Sequence, residues 1–336
     1  MRIERRWKDT SIVIYNQNIS KRELMKMKKW NDTSQIFTKP YLVCIFALIC
    51  CFLWGSAFPS IKIGYRLFQI SDADAMSQLL FAGYRFTLAG IMVILIGSFI
   101  KREFLYPRKS SWSMVIKLGS VQTVLQYVFF YMGLAHTSGV KASIITASNV
   151  FIAIFLSALV FSEKLSIHKF VGCLLGFIGV IFINLEGGGL DLQVSLTGEG
   201  AMFVSAFAAA LSSVLIKQYS EKEETFTLCG YQFLLGGIVL TLIGLLNGGN
   251  VTGFTPASTL LLGYLGLISS VAYSLWSLLL KYNPVGKVAV FGFSNPMFGV
   301  ILSAILLGEK NQAFTLKGLL ALILVCSGIL IVNRSK

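Results

Sequence analysis

One stretch of this chain is written twice. Lys141 to Lys164 reads KASIITASNVFIAIFLSALVFSEK, and Lys287 to Lys310 reads KVAVFGFSNPMFGVILSAILLGEK. At a constant separation of 146 positions, Lys141 matches Lys287, Ser148-Asn149 matches Ser294-Asn295, and Ser157-Ala158 matches Ser303-Ala304. Glu163-Lys164 then matches Glu309-Lys310, and Gly172 matches Gly318. Each copy is an apolar run of the length a bilayer crossing needs, about 20 residues, with a single Asn near its middle. Such a chain must fold as two related halves, each burying the same polar residue.

The rest of the sequence agrees with a membrane protein. Of its 336 residues, 55% are hydrophobic and 13% charged, with mean hydropathy +0.73. Soluble domains carry roughly 25% charged residues. The six Cys (44, 50, 51, 173, 229 and 326) all lie in apolar runs without metal-ligand spacing and are read as packing residues. There are two His and no zinc, P-loop or dinucleotide fingerprint, so neither a metal nor a cofactor is expected.

Ten apolar segments can be marked: roughly 41–64, 76–100, 112–134, 140–161, 167–184, 197–218, 226–246, 257–280, 286–307 and 313–332. Their continuity argues for helices, because barrel strands would alternate and be half as long. Residues 1–40 form a basic tail holding ten Lys and Arg, a large share of the net charge of +14. This tail is expected to be cytosolic and to fix topology rather than to bind nucleic acid. Lys101, Arg102, Arg108 and Lys109 fall on the same side, while the 185–196 and 247–256 loops carry no Lys or Arg. Both termini are therefore expected in the cytoplasm, in a multi-pass protein of the plasma membrane. No cleaved signal peptide is expected, and the sequence leaves Met1, Met25 and Met27 open as starts.

The duplication extends further. Gly83-Tyr84-Arg85-Phe86, with Gly90 and Gly97, returns 147 positions later as Gly230-Tyr231-Gln232-Phe233, with Gly237 and Gly244. A weaker match pairs Ser60-Ile61-Lys62 with Leu215-Ile216-Lys217. The halves are 41–184 and 197–332, joined by a linker at 185–196. Five helices per half is an odd number, so the second half enters the membrane from the opposite side. The predicted fold is an all-α polytopic bundle of ten transmembrane helices in two inverted five-helix repeats. Repeats of this kind put a solute site near the midplane, where the halves meet.

On these features the chain resembles the drug/metabolite transporter superfamily, in its EamA-type ten-helix branch. The resemblance rests on Trp54-Gly55-Ser56-Ala57-Phe58-Pro59 in the first helix and Tyr84-Arg85-Phe86 in the second. It rests also on Gly308-Glu309-Lys310 closing the ninth helix and on the glycine-rich fifth and tenth. It covers residues 41–332 and implies export or exchange of small metabolites, amino acids being a frequent class. That family often has Pro in both the fourth and ninth helices; here Pro296 is present and Val150 stands at the matching place.

Candidate site residues follow from depth. Asn149 and Asn295 each lie eight residues beyond the Lys that opens its copy, about 12 Å along a helix rising about 1.5 Å per residue. Their faces (Thr146, Ala153 and Ser157; Gly292, Gly299 and Ser303) are small and polar, fitting either close helix packing or a cavity wall. Pro59 and Pro296 withhold the N–H that would bond the Gly55 and Gly292 carbonyls, and are candidate hinges. Arg85 is the formal charge deep inside a span, with no mid-span acid to pair it; it is read as an anchor, a source of cavity potential, or an anion ligand. Gln232 holds the matching place in the second half. Tyr127 and Tyr273 match at 146 and, with Trp54, are candidate cavity aromatics. Glu163 and Glu309 end their helices as interfacial ties or as titrating gates, and His136 at the end of the third helix is a weaker proton-sensitive candidate.

The expectation is a secondary transporter, an exporter or exchanger, moving a small organic metabolite such as an amino acid by alternating access. Proton coupling stays open, and the chain carries no nucleotide-binding domain for direct ATP drive. An intramembrane enzyme would need a base beside a nucleophile at depth, and no mid-span His or carboxylate supplies one. A membrane assembly subunit without transport activity is the competing reading.

Overall fold

The computed structural model of the chain describes residues 35–71, 74–137, 139–163, 165–184, 195–306 and 316–334. Ten helices of membrane-spanning character run through these residues, and the described residues contain no strand. They are α1 (Pro40–Leu67), α2 (Ala75–Lys101), α3 (112–134), α4 (139–161), α5 (Ile167–Asn184), α6 (Leu196–Ser220), α7 (Thr225–Leu246), α8 (Pro256–Tyr282), α9 (Val285–Leu306) and α10 (Leu316–Arg334). Seven of them are long and apolar enough to cross a bilayer by length and composition alone, and α5 and α10 are shorter apolar helices.

The ends are set by local chemistry. Pro40 and Pro256 sit in first turns, where no backbone N–H is needed. The Asp74 carboxylate accepts the Ser77 N–H at 3.0 Å to cap α2, and Glu224 accepts the Thr227 N–H at 2.9 Å to cap α7. Arg102 and Ser162, both left-handed at φ 56° and 54°, stop α2 and α4.

Glycines decide which helices touch. Gly83, Gly90 and Gly97 are seven apart, close to two helical turns, and therefore share one face; so do Gly230, Gly237 and Gly244. A Cβ on Gly83 would stand 2.6 Å from Thr241 N, one on Gly90 2.4 Å from Leu234 N, and one on Gly237 2.4 Å from Thr87 N. Positions rise along α2 as their partners fall along α7, so the two helices cross antiparallel. Gly172 on α5 and Gly328 on α10 meet the same way, with Gly179 against Ala321 and Val325. In each crossing a helix meets its own repeat mate running the other way, the geometry of halves related by a two-fold axis across the helix direction. The remaining contacts obey that axis: α1 packs on α8 and α9, and α6 packs on α3 and α4.

Side chains such as Phe99 (86% exposed) and Leu260 (75%) cover the outside, an apolar surface that suits lipid and would not suit water. Four of the six cysteines pack as expected, while Cys44 is partly buried and Cys326 exposed; Cys51 Sγ donates to the Phe291 carbonyl at 3.2 Å and Cys50 Sγ to the Ala272 carbonyl at 3.4 Å, joining α1 to α9 and α8.

Candidate substrate cavity

Four helices depart from α geometry, and three of these departures edge one central space. α4 is interrupted at Ser148, whose hydroxyl and N–H both bond the Ile145 carbonyl (2.6 and 3.0 Å), and resumes at Asn149. α9 tightens into a 3₁₀ turn at Val290–Phe293 and resumes at Ser294, one residue before Asn295. The two breaks are repeat mates. Pro296 accompanies one; in the other, a serine competing for a backbone carbonyl does the same work. α3 widens to a π turn over Gly119–Leu125, and a second π turn opens α6 at Leu196–Gly200. Such turns are frequent at functional sites because they re-aim side chains.

The space between them is a cavity of about 220 Å³. Asn149 and Asn295 both line it, each about 15 Å into its helix at about 1.5 Å per residue, with Thr146 and Gly292 beside them. The Asn295 Oδ1 is buried and has no hydrogen-bond partner among the described residues. Trp54, Arg85, Tyr127 and Tyr273 complete the predicted residues found in the wall. Trp54 packs edge-on against Tyr273 (5.0 Å between centroids) and Trp276 (5.1 Å), and its Nε1 is likewise unpartnered. Tyr127 and Tyr273 meet across the axis, hydroxyl to hydroxyl, at 2.9 Å.

Arg85 is 5% exposed. Its guanidinium carbon lies 4.3 Å from the Phe86 ring centroid and 5.7 Å from that of Tyr127. Its one hydrogen bond among the described residues is a long one, 3.5 Å from Nη2 to the Tyr127 hydroxyl, and Nε has none. A charge at the centre of a span costs about 2.5–3.5 kcal/mol even by the mildest scale. The cation–π contacts offset part of that cost and leave most of the N–H groups unbonded.

Gln232, the repeat mate of Arg85, is placed differently from the expectation. It is fully buried outside the cavity wall, where its Oε1 accepts from the Thr123 hydroxyl at 2.7 Å in the π turn of α3. Its oxygen is bonded between helices instead of facing the space, and its Nε2 is buried without a partner among the described residues. Gln122, Gln126, Ser205, Ser212 and Ser269 do face it and went unmarked in the sequence. Their signal was a polar spacing of four in Gln122 and Gln126, and of seven in Ser205 and Ser212, inside otherwise apolar runs.

Pro59 lies buried inside an unbroken α1 and outside the wall; a Cβ on Gly55 one turn earlier would stand 2.5 Å from the Phe298 Cβ of α9. Glu163 ties three helix ends together. Its Oε1 accepts the Val285 N–H of α9 at 3.0 Å and lies 3.8 Å from Lys217 Nζ of α6, while Oε2 accepts from Ser157 at 3.3 Å. Lys217 also donates to the Asn283 carbonyl, and the Asn283 amide bonds the Phe37 carbonyl at 2.8 Å. This knot lies at the end of the bundle where α1 begins; the lining residues of α1, Trp54 to Ile61, lie in its farther half. Glu309 and Lys310 lie outside the described residues, as do Lys164, the tail before residue 35 and residues 185–194. His136 is exposed and bonds the Met132 carbonyl through Nδ1 at 2.9 Å, away from the cavity.

A ten-helix bundle of two inverted repeats around a small polar-aromatic cavity is the architecture of a membrane transporter. The profile of the EamA-like transporter family matches residues 41–185 and again 196–334, and the chain belongs to that family. An uncharacterized transporter of Archaeoglobus fulgidus is 33% identical over 271 residues, covering 79% of this chain and 89% of its own length. Probable amino-acid metabolite efflux pumps of Salmonella typhimurium and Escherichia coli are each 25% identical across 85% of this chain and 92% and 93% of theirs. A solved crystal structure matches with TM-score 0.71 at 16% identity, covering 86% of this chain and 95% of that one, which shows the fold alone. The chain is thus a multi-pass membrane protein of a transporter family, whose members are not enzymes.

Proposed function

We propose that this protein is a secondary transporter that moves a small organic metabolite, such as an amino acid, across the cell membrane by alternating access, as an exporter or exchanger. The observation that carries this is the pair Asn149 and Asn295: repeat mates, each at a helix break, lining one cavity between the halves. Broken helices at the repeat interface are where transporters of inverted-repeat design bind solute, because freed backbone and amide groups can face it there. The knot at Glu163 and Lys217 supports a state closed at one end. The relatives named as amino-acid metabolite efflux pumps make amino acids and their derivatives the first solutes to try. The clustering of Lys and Arg supports cytoplasmic termini, which makes the knotted end the cytoplasmic one.

Reconstitution into proteoliposomes tests the reading. Wild-type protein should give saturable flux, and Asn149→Leu with Asn295→Leu should lower it at least tenfold while the protein still purifies as a folded species. A purely structural role for the pair predicts loss of assembly instead. With no carboxylate among the described cavity residues, proton drive would act through end groups such as Glu163 or Glu309, or be absent. Flux indifferent to an imposed pH gradient would exclude it and leave exchange or facilitated diffusion.

A further inference from the structure

We infer that the cavity selects organic monoanions: solutes with one carboxylate, no ammonium group and an apolar or aromatic body, with Arg85 as their counter-ion. This rests on the proposed reading of the cavity as the solute site, and it narrows the solute from free amino acids to carboxylates, including amino-acid derivatives, whose amine is absent or acylated.

The first argument is charge. Among the described residues that line the cavity, Arg85 carries the one formal charge, and no Asp, Glu, Lys or His stands with it. The ion pairs among the described residues, Lys101–Glu224 and Lys217–Glu163, lie at helix ends and leave Arg85 uncompensated. A monoanion entering this space converts a lone buried cation into a neutral pair. A zwitterion would bring a second cation, and the cavity offers its ammonium only neutral acceptors. A cation would meet a like charge.

The second argument is geometry. The Phe86 ring centroid lies 4.3 Å from the guanidinium carbon, and the N–H groups of a guanidinium lie in its own plane, at its edge. That edge is the planar fork which matches a carboxylate. Arg85 Nε and Trp54 Nε1 are both donors, both buried and both unpartnered among the described residues. Two idle donors in the wall of one cavity ask for an acceptor. The remaining idle group there, Asn295, is an amide that can present either its oxygen or its nitrogen. The third argument is the wall itself: Trp54, packed edge-on against Tyr273 and Trp276, makes an aromatic corner that suits an apolar body.

A matched set of solutes isolates the charge. 3-Phenylpropanoate is the monoanion, phenylalanine the zwitterion, phenethylamine the cation and 3-phenylpropanamide the neutral amide, all with similar bodies. Binding to the purified full chain in nanodiscs at pH 7, read as ligand-induced thermal stabilisation and by equilibrium dialysis, should favour 3-phenylpropanoate at least tenfold over the other three. Arg85→Gln, which installs the residue the chain itself uses at the matching position 232, should reduce its binding to the level of the amide. Arg85→Lys, which keeps the charge without the fork, should fall between. Equal or tighter binding of phenylalanine, phenethylamine or the amide to the wild type overturns the inference, whether or not the variants fold; so does full retention by a folded Arg85→Gln. Selective binding of the anion without flux in proteoliposomes would sustain this inference and sink the transport reading. Flux of a solute without anion preference would do the reverse.

Discussion

The hydrogen bond between Tyr127 and Tyr273 can run either way, and the Arg85 contact favours donation from Tyr127 to Tyr273. A phenol has one proton to give, and Tyr127 already accepts, at long range, from Arg85 Nη2. If Tyr127 gives its proton to Tyr273, the Tyr273 proton is free to point into the cavity it lines. The order Arg85 to Tyr127 to Tyr273 thus passes the polarity of a buried cation across the repeat axis as one more outward donor. The two tyrosines are repeat mates but not equals in this relay. Tyr127→Phe removes both the acceptor of Arg85 and the donor to Tyr273, whereas Tyr273→Phe removes only the last link. Flux should therefore fall further in Tyr127→Phe, about tenfold or more, than in Tyr273→Phe. Tyr273→Phe should cost folding about 1 kcal/mol, and Tyr127→Phe, which leaves a buried cation without its hydrogen bond, about 1–3 kcal/mol. Equal losses in the two variants would speak against an ordered relay.

Helix contacts are decided by which glycines face a neighbour. At Gly90 an added Cβ meets backbone, Leu234 N at 2.4 Å and the Gly230 carbonyl at 2.7 Å, and neither can rotate away. Gly263 on α8 has nothing within 4 Å. Gly90→Ala should then push α2 from α7 and cost about 1–3 kcal/mol, the usual penalty of overpacking, seen as a lower melting temperature in detergent. Gly263→Ala should cost nothing, and a matching loss there would show that glycine content rather than close approach matters. The seven-residue glycine spacing and the matched Asn pair were legible in the sequence because both are periodic and both recur at a fixed separation. The break in α4 was not. It depends on the Ser148 hydroxyl winning the Ile145 carbonyl, a local competition that leaves no period and that Val150, in place of a proline, conceals. Gln232 was misleading for a related reason: matching positions share depth, but Thr123 holds this side chain between helices while Arg85 faces the cavity. Gln122 and Gln126 were passed over because two amides in a long apolar run look like tolerated exceptions until their spacing is counted.

At the scale of the whole bundle, the described residues show a charged knot at one end. The Glu163 knot joins α4, α6 and α9 at the end where α1 starts. Lys62, the sequence match of Lys217, lies exposed at the other end of α1. A fold with inverted symmetry can hold such a knot at one end at a time, since rocking one half against the other opens one end as it closes the other. Glu163 and Lys217 are only partly exposed, their side chains at 12% and 16%, so removing one partner leaves the other charge poorly solvated. Lys217→Met and Glu163→Gln should each weaken the closed end and shift the population toward opening there. Val288, three residues into α9 beyond the Glu163–Val285 bond, is fully buried and reports on that end. With the six native cysteines replaced and Val288→Cys introduced, maleimide labelling should be slow in the parent and several-fold faster once Lys217→Met or Glu163→Gln is added. Gel filtration would confirm that each variant stays folded. Labelling at the parent rate in both would mean that apolar packing of α4 on α9, not the charged knot, keeps that end shut.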